Sequence, residues 1–190
     1  EGYTVSERVL AEKFEELFHR AKGRLIVATF ASNIHRVQQV VNAAITHNRK
    51  VAFVGRSMVN VVSIARELGY LQIPDGIVVE LDAIDRLPPN QLAIVTTGSQ
   101  GEPLSALSRM AMAEHRKISI MPGDTVIISA SAIPGNEKLI ARTIDHLFKQ
   151  GANVIYETIT GVHVSGHARQ EELKMMINLV KPKFFIPVHG

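Results

Sequence analysis

Gln91 to Pro103 reads QLAIVTTGSQGEP, and its two halves decide the fold. Gln91 to Thr96 is a run of apolar residues without polar alternation, which is the pattern of a strand covered on both faces. It passes directly into Gly98-Ser99-Gln100-Gly101, and a helical stretch follows from Leu104 to about Glu114 with Pro103 at its first turn. Strand, glycine turn, helix is the repeating half of a parallel-sheet fold.

The same order recurs on either side. Upstream, Lys50 to Val54 (KVAFV) precedes a helix from Met58 to Leu68, with Gly69 as its C-terminal stop. Before that, Arg24 to Thr29 (RLIVAT) precedes a helix from Asn33 to His47 whose inner side carries Val37, Val40, Val41 and Ala44. A first amphipathic helix, capped by Ser6, runs to about Lys22 and ends at Gly23. Ile77 to Leu81 is a further apolar run, and Asp82 to Asn90 is a connector holding Pro88 and Pro89. Downstream come a strand at Thr125 to Ala130, a helix at Glu137 to Lys149 and a strand at Asn153 to Tyr156. This alternation predicts an α/β domain with a doubly wound, mostly parallel sheet and helices on both faces. Ligands of such sheets bind beyond the carboxyl ends of the strands. Four polar stretches are predicted there: FASN at 30–33, GRSM at 55–58, GSQGEP at 98–103 and SAIPGN at 131–136. No strand is followed by G-x-G-x-x-G, so no dinucleotide is expected.

After Tyr156 the pattern changes. Residues 161–190 read GVHVSGHARQEELKMMINLVKPKFFIPVHG and hold His163, His167 and His189, three of the eight histidines. The periodicity of Leu173, Met176, Ile177 and Val180 predicts a helix over Arg169 to Val180, and Lys181-Pro182 ends it. Phe184 to Val188 reads as a short strand, with His189 and Gly190 at its end. The expected boundary lies near 157–162, giving a doubly wound domain at 2–156 and a loop–helix–strand of a neighbouring module at 157–190.

Several positions carry possible chemistry. Ser32, Asn33 and Ile34 open a helix, where free backbone N–H groups accept a phosphate as readily as the side chains form an N-cap. His35 and Arg36 strengthen the phosphate reading if they face the crevice. Ser99 and Gln100, between two glycines, suit either an anion cradle or a tight structural turn. Arg56, after a strand end, can give a charge-assisted contact to a phosphate. His163, Val164, Ser165, Gly166 and His167 place two imidazoles, a hydroxyl and a glycine within five positions, a compact set for gripping phosphate. Met110, Met112, Met175 and Met176 are read as core. His19, His47, His115 and His146 are read as partnerless and receive no role.

Composition sets bounds. With 46% apolar residues in 190, the chain can bury a sizeable core. The absence of cysteine leaves His, Asp and Glu as the available metal ligands. A net charge of +3 is compatible with an anionic polymer but is common among proteins that never touch one. No apolar run approaches the roughly 20 residues that span a bilayer, so no membrane partner is expected. A cytoplasmic location is the expectation.

The pair S-G-H-A at 165–168 and P-V-H-G at 187–190 resembles two motifs of the β-CASP branch of metallo-β-lactamase-fold nucleases. ATFASNIHR at 28–36, VGRSM at 54–58, TTGSQGEP at 96–103 and PGDTV at 122–126 are similar to the ribonuclease J family in particular, so the likeness covers essentially the whole chain. The resemblance implies a β-CASP domain inserted into a metallo-β-lactamase-fold domain, to which 157–190 is the return. It implies a zinc-dependent ribonuclease, with 5′-to-3′ exonuclease and endonuclease modes, acting in mRNA decay and rRNA processing. His167 matches the catalytic histidine that acts on the scissile phosphate, and His163 to His167 match the substrate loop. Ser32, Asn33, Ile34, Arg56, Ser99 and Gln100 are carried as substrate-binding, and His189 as a zinc ligand. Single-stranded RNA, a metallo-β-lactamase-fold domain and further copies of the protein are the implied partners.

One departure stands out. The family's H-x-H-x-D-H ligands and acidic first motif are not in this sequence, and a catalytic zinc needs about three protein ligands. The chain is therefore expected to be a piece of a nuclease that alone holds no zinc and is inert. Two other classes compete: a free-standing nucleotide- or phosphometabolite-binding α/β domain, and a non-catalytic interaction scaffold. The loop–helix–strand ending in His-Gly argues against the first. Binding of single-stranded RNA separates out the second.

Overall fold

The computed structural model describes residues 2–4, 7–156 and 168–187. Its centre is a five-stranded, all-parallel sheet formed by β1 (Leu25–Ala28), β2 (Lys50–Val54), β3 (Leu92–Thr96), β4 (Thr125–Ile128) and β5 (Asn153–Tyr156). The spatial order is β2-β3-β1-β4-β5, with Leu25 level with Ala93 and Thr125. The helices are α1 (Glu7–Arg20), α2 (Ile34–Thr46), α3 (Arg56–Glu67), α4 (Ala106–Ala111), α5 (Glu137–Lys149) and α6 (Gln170–Val180).

Successive side chains of a strand point to opposite faces, and each strand here feeds two cores. Leu25, Val27, Val51, Phe53, Ala93, Val95 and Ile127 join the apolar sides of α1, α2 and α3. Ile26, Ala28, Ala52, Val54, Ile94, Val126 and Val154 join α4 and α5. Burial on both faces is why the strands read as unbroken Val/Ile/Ala runs. Each such Val, Leu, Ile or Phe side chain stabilises the fold by about 1.5–3 kcal/mol before entropy is counted. The doubly wound parallel sheet expected from the alternation is what forms.

Several boundaries differ from the sequence expectation, each for a local reason. The helix expected over Leu104–Glu114 contracts to Ala106–Ala111, because the Ser105 hydroxyl caps it by accepting from Ser108 N–H (3.3 Å). Ala113, at φ 58°, turns the chain away at the other end. The run Ile77–Leu81 lies along the outer edge of β2, where Val51 N–H donates to Ile77 O and Val79 N–H to Val51 O (both 2.9 Å). It blunts an edge that would otherwise be open to pairing. The connector after this run contains two short 3-10 turns, Leu81–Arg86 and Pro89–Gln91.

The segment after β5 behaves differently. α6 forms as expected, with the Arg169 N–H donating to Glu172 Oε2 (2.7 Å) at its start. None of its residues is buried, and Met175 and Met176, read from sequence as core, are exposed. The apolar stripe has no cover among the described residues, whereas Met110 on α4 is fully buried. Phe184–Pro187 adopts no strand among the described residues, and Phe184 and Ile186 are about 80% exposed. A strand needs a neighbour, and no described strand pairs with these residues. The α6 N-terminus meets the start of the chain, where the Thr4 hydroxyl donates to Glu172 (2.5 Å). No described helix is long and apolar enough to cross a membrane.

Candidate functional site

Because the strands are parallel, their carboxyl ends share one edge, and the predicted polar stretches line up there. The first residues beyond the strands are Thr29 after β1, Gly55 after β2, Thr97 after β3 and Ser129 after β4. Ser32, Asn33, Ile34, Arg56, Ser99 and Gln100 all lie on this edge, but their side chains have different fates. His163, Val164, Ser165, Gly166, His167 and His189 lie outside the described residues, as does the boundary near 157–162.

Ser32 is exposed. Asn33 is an N-cap: its Oδ1 accepts from the Arg36 N–H at 3.0 Å. His35 turns away, lining an apolar groove of about 680 Å³ between α2 and α3. Arg36 is fully buried and donates through Nη1 to the Ser129 hydroxyl (2.6 Å) and carbonyl (3.2 Å). It fastens the start of α2 to the end of β4, and neither His35 nor Arg36 reaches toward open crevice as the phosphate reading asked.

The glycine turn after β3 is tightly built. Ser99 and Gln100 are buried. The Gln100 amide donates to Ser131 O (2.8 Å), and its oxygen accepts from Ile133 N–H (2.8 Å), so its side chain ties two strand-end loops together. Gly101, at φ +71°, passes so close to α5 that a Cβ would stand 2.5 Å from the Leu139 backbone. Gly98, at φ +105°, would drive a Cβ into Ser105. These glycines let protein approach protein, and the tight-turn reading describes them.

Arg56 faces a polar cleft of about 630 Å³ at the ends of β2 and β3, shared with Ser57, Glu102, Ser105, Arg109 and His115. Arg56 is exposed and Arg109 half-buried. Among the described residues the only acceptor of the Arg109 guanidinium is Glu114 O (3.1 Å). His115, read from sequence as partnerless, is held by the backbone: its Nδ1 accepts from the N–H groups of Lys117 (3.3 Å) and Ile118 (3.1 Å). That fixes the tautomer with the proton on Nε2. Burial, and then the neighbouring Arg109 charge, holds its pKa below the usual histidine value. His47 and His146 also have partners, Glu15 (2.9 Å) and Arg142 O (2.7 Å). Sequence reasoning missed Arg109 and His115 as members of a cleft. The signal available was the four-residue spacing of Ser105 and Arg109 on one helical face.

Residues 22–147 match the family model described as "Ribonuclease J, beta-CASP domain", and residues 151–190 match "Zn-dependent metallo-hydrolase RNA specificity domain". The first match holds β1 to β4 with α2 to α4 and most of α5, and the second holds β5 and α6. The chain belongs to the ribonuclease J family. Ribonuclease J of Helicobacter pylori is 53% identical over 189 residues, covering all of this chain and 27% of that protein. Ribonuclease J of Synechocystis is also 53% identical (30% of its length covered), and that of Thermus thermophilus 50% (33%). The chain thus spans about a third or less of the curated relatives it matches.

Proposed function

We propose that this chain is the RNA-binding, substrate-clamping part of a zinc-dependent ribonuclease. The observation that carries the reading is the gathering of Ser32, Asn33 and Arg56 on one edge of a sheet that matches the family's β-CASP model. Support also comes from relatives named as ribonucleases and from the RNA-specificity description of residues 151–190. The family resemblance extends the proposal to 5′-to-3′ exonuclease and endonuclease action in mRNA decay and rRNA processing, in the cytoplasm.

Among the described residues no three His, Asp or Glu groups stand close enough to hold a metal, and a catalytic zinc takes about three protein ligands. The described residues therefore do not fit a zinc site, and their contribution is to hold RNA. Ser32 and Arg56 are free to meet phosphates. Asn33, Arg36 and Gln100 set the loops that carry them. The bare apolar stripe of α6, with Phe184 to Ile186, fits against the metallo-β-lactamase-fold body of a complete enzyme. Further copies of the protein are the remaining proposed partner.

The test compares two histidines in the full-length protein carrying this chain. His189→Ala should lower both zinc content and rate, because it removes a ligand. His167→Ala should keep zinc and lower kcat on the order of 10²-fold, as expected for one lost transition-state contact. Zinc lost from His167→Ala and kept in His189→Ala would reverse the two roles. RNA cleavage that survives both substitutions would sink the proposal.

A further inference from the structure

The cleft at the ends of β2 and β3 holds more charge than the substrate loops explain. Resting on the ribonuclease reading, we propose that this cleft is a second phosphate subsite, in which Arg56, Arg109 and the Nε2–H of His115 grip the RNA backbone away from the scissile bond. Two guanidinium groups line it, neither in an ion pair among the described residues, against one exposed carboxylate, Glu102. Arginine forks of this kind match phosphate oxygens. His115 adds a neutral donor, since its Nδ1 is occupied by two backbone N–H groups and its pKa is held down.

The floor of the cleft is tightly built. A Cβ on Gly55 would stand 2.6 Å from the Thr97 hydroxyl, so the β2 and β3 loops approach closely, and one on Gly98 would meet Ser105 within the β3–α4 loop itself. Small-molecule pockets are mostly apolar with a few polar anchors. Seven of the eleven residues that line this one are polar or charged, and none is a Phe, Tyr or Trp that could stack a base. It is shaped to hold backbone, not base.

Its place in the sheet gives it a separate task. β2 is one edge strand and β5 the other, four inter-strand spacings or about 19 Å apart. An RNA strand that extends from the cleft across the sheet runs along the carboxyl edge, past Ser32 and Asn33 at the end of β1.

Equilibrium binding by the full-length protein carrying this chain, using oligouridylates of about 4 and about 16 nucleotides over a salt series, tests the subsite. Arg56→Ala and Arg109→Ala should each weaken the longer oligomer about tenfold more than the shorter, as charged hydrogen bonds are lost. The log–log salt slope should fall by about 0.7, one single-strand phosphate. His115→Asn, which keeps an acceptor for the backbone and removes the Nε2 donor, should weaken the longer oligomer about threefold. Arg66→Ala on α3, outside this cleft, is the matched charge control, and unchanged melting temperatures show that each variant folds. Equal losses on both lengths, losses matched by Arg66→Ala, or an unchanged slope would overturn the subsite. Uridine monophosphate is titrated alongside, and a loss confined to it would overturn the subsite too, making the cleft a free-nucleotide site. If the parent protein binds neither oligomer, the ribonuclease reading itself fails. If the parent binds both and the variants match it, only the subsite fails.

Discussion

The two edges of the sheet differ in how much arginine they leave open: the carboxyl edge seals Arg36 against Ser129 but not Arg56 or Arg109. At the amino edge, Arg24 precedes β1 and Asp124 precedes β4, and they form a buried two-pronged pair at 2.9 and 2.6 Å. Arg24 also donates to Ser119 O (2.6 Å), and Asp124 accepts from Met121 N–H (2.8 Å). Arg49, buried before β2, donates to the carbonyls of Ala21, Gly23 and Leu92, joining the end of α1 to the start of β3. At the carboxyl edge Arg56 is exposed and unpaired among the described residues, and Arg109 meets one carbonyl. The amino edge commits Arg24 and Arg49 to partners within the protein; the carboxyl edge does so with Arg36 but leaves Arg56 and Arg109 open to the cleft. A charge sealed among its partners costs stability when disturbed, while a charge left in water costs little and can bind.

The contrast is most easily broken at the amino edge, where the effect should be largest. Asp124→Ala leaves the Arg24 guanidinium buried without its carboxylate and removes the acceptor for Met121 N–H. A loss of about 3–5 kcal/mol is expected, read by urea unfolding. Replacing Arg24 and Asp124 together with Met and Leu should recover much of that, because the penalty is the orphaned charge more than the lost attraction. A loss under about 1 kcal/mol in the single variant would mean that water reaches the pair and that the two edges differ less than their geometry indicates.

A smaller effect sharpens the contrast at the carboxyl edge, through pH. The folded-state pKa of His115 lies below its ordinary 6.5, from burial first and the Arg109 charge second. The unfolded chain then binds the extra proton more readily. The stability that neutral His115 supports is present above about pH 6.5 and is lost as pH falls through the lowered folded value. Acid destabilisation in this range should be reduced in His115→Asn and also in Arg109→Ala, which lifts one of the two causes. Identical pH–stability curves for parent and His115→Asn would show that the histidine titrates as if in water.

The sheet and most of its helices were legible because double-sided burial writes itself into sequence as unbroken apolar runs, as in RLIVAT and QLAIVT. The candidate site was legible only as a neighbourhood. Ser32, Asn33, Arg56 and Ser99 could be placed on one edge from the alternation of strand and helix, but not their side-chain fates. Gln100 looked like a ligand donor and serves Ser131 and Ile133, partners about thirty residues away in sequence. The Arg24–Asp124 pair spans a hundred residues and leaves no local pattern. The exposed stripe of α6 failed in the other direction: its periodicity promised a core, and periodicity cannot say whether the covering surface lies in the same stretch of chain.

The smallest effect separates two jobs that the start of α2 could hold at once. Asn33 caps the helix through its Oδ1, and losing such a cap costs about 1 kcal/mol. Asn33→Ala should therefore lower stability by about that amount while barely moving RNA affinity, since the side chain is engaged by Arg36 N–H. Asn33→Asp should do the reverse. A carboxylate caps as well as an amide and suits the positive end of the helix, so stability should hold. The same negative charge would sit where a phosphate is proposed to rest, beside exposed Ser32, and RNA affinity should fall several-fold, most at low salt where screening is weakest. Thermal melts paired with RNA binding on both variants make the comparison. If Asn33→Asp binds RNA as the parent does, the N-terminus of α2 is a structural cap alone, and the phosphate contacts of this edge move toward Arg56 and the cleft beyond it.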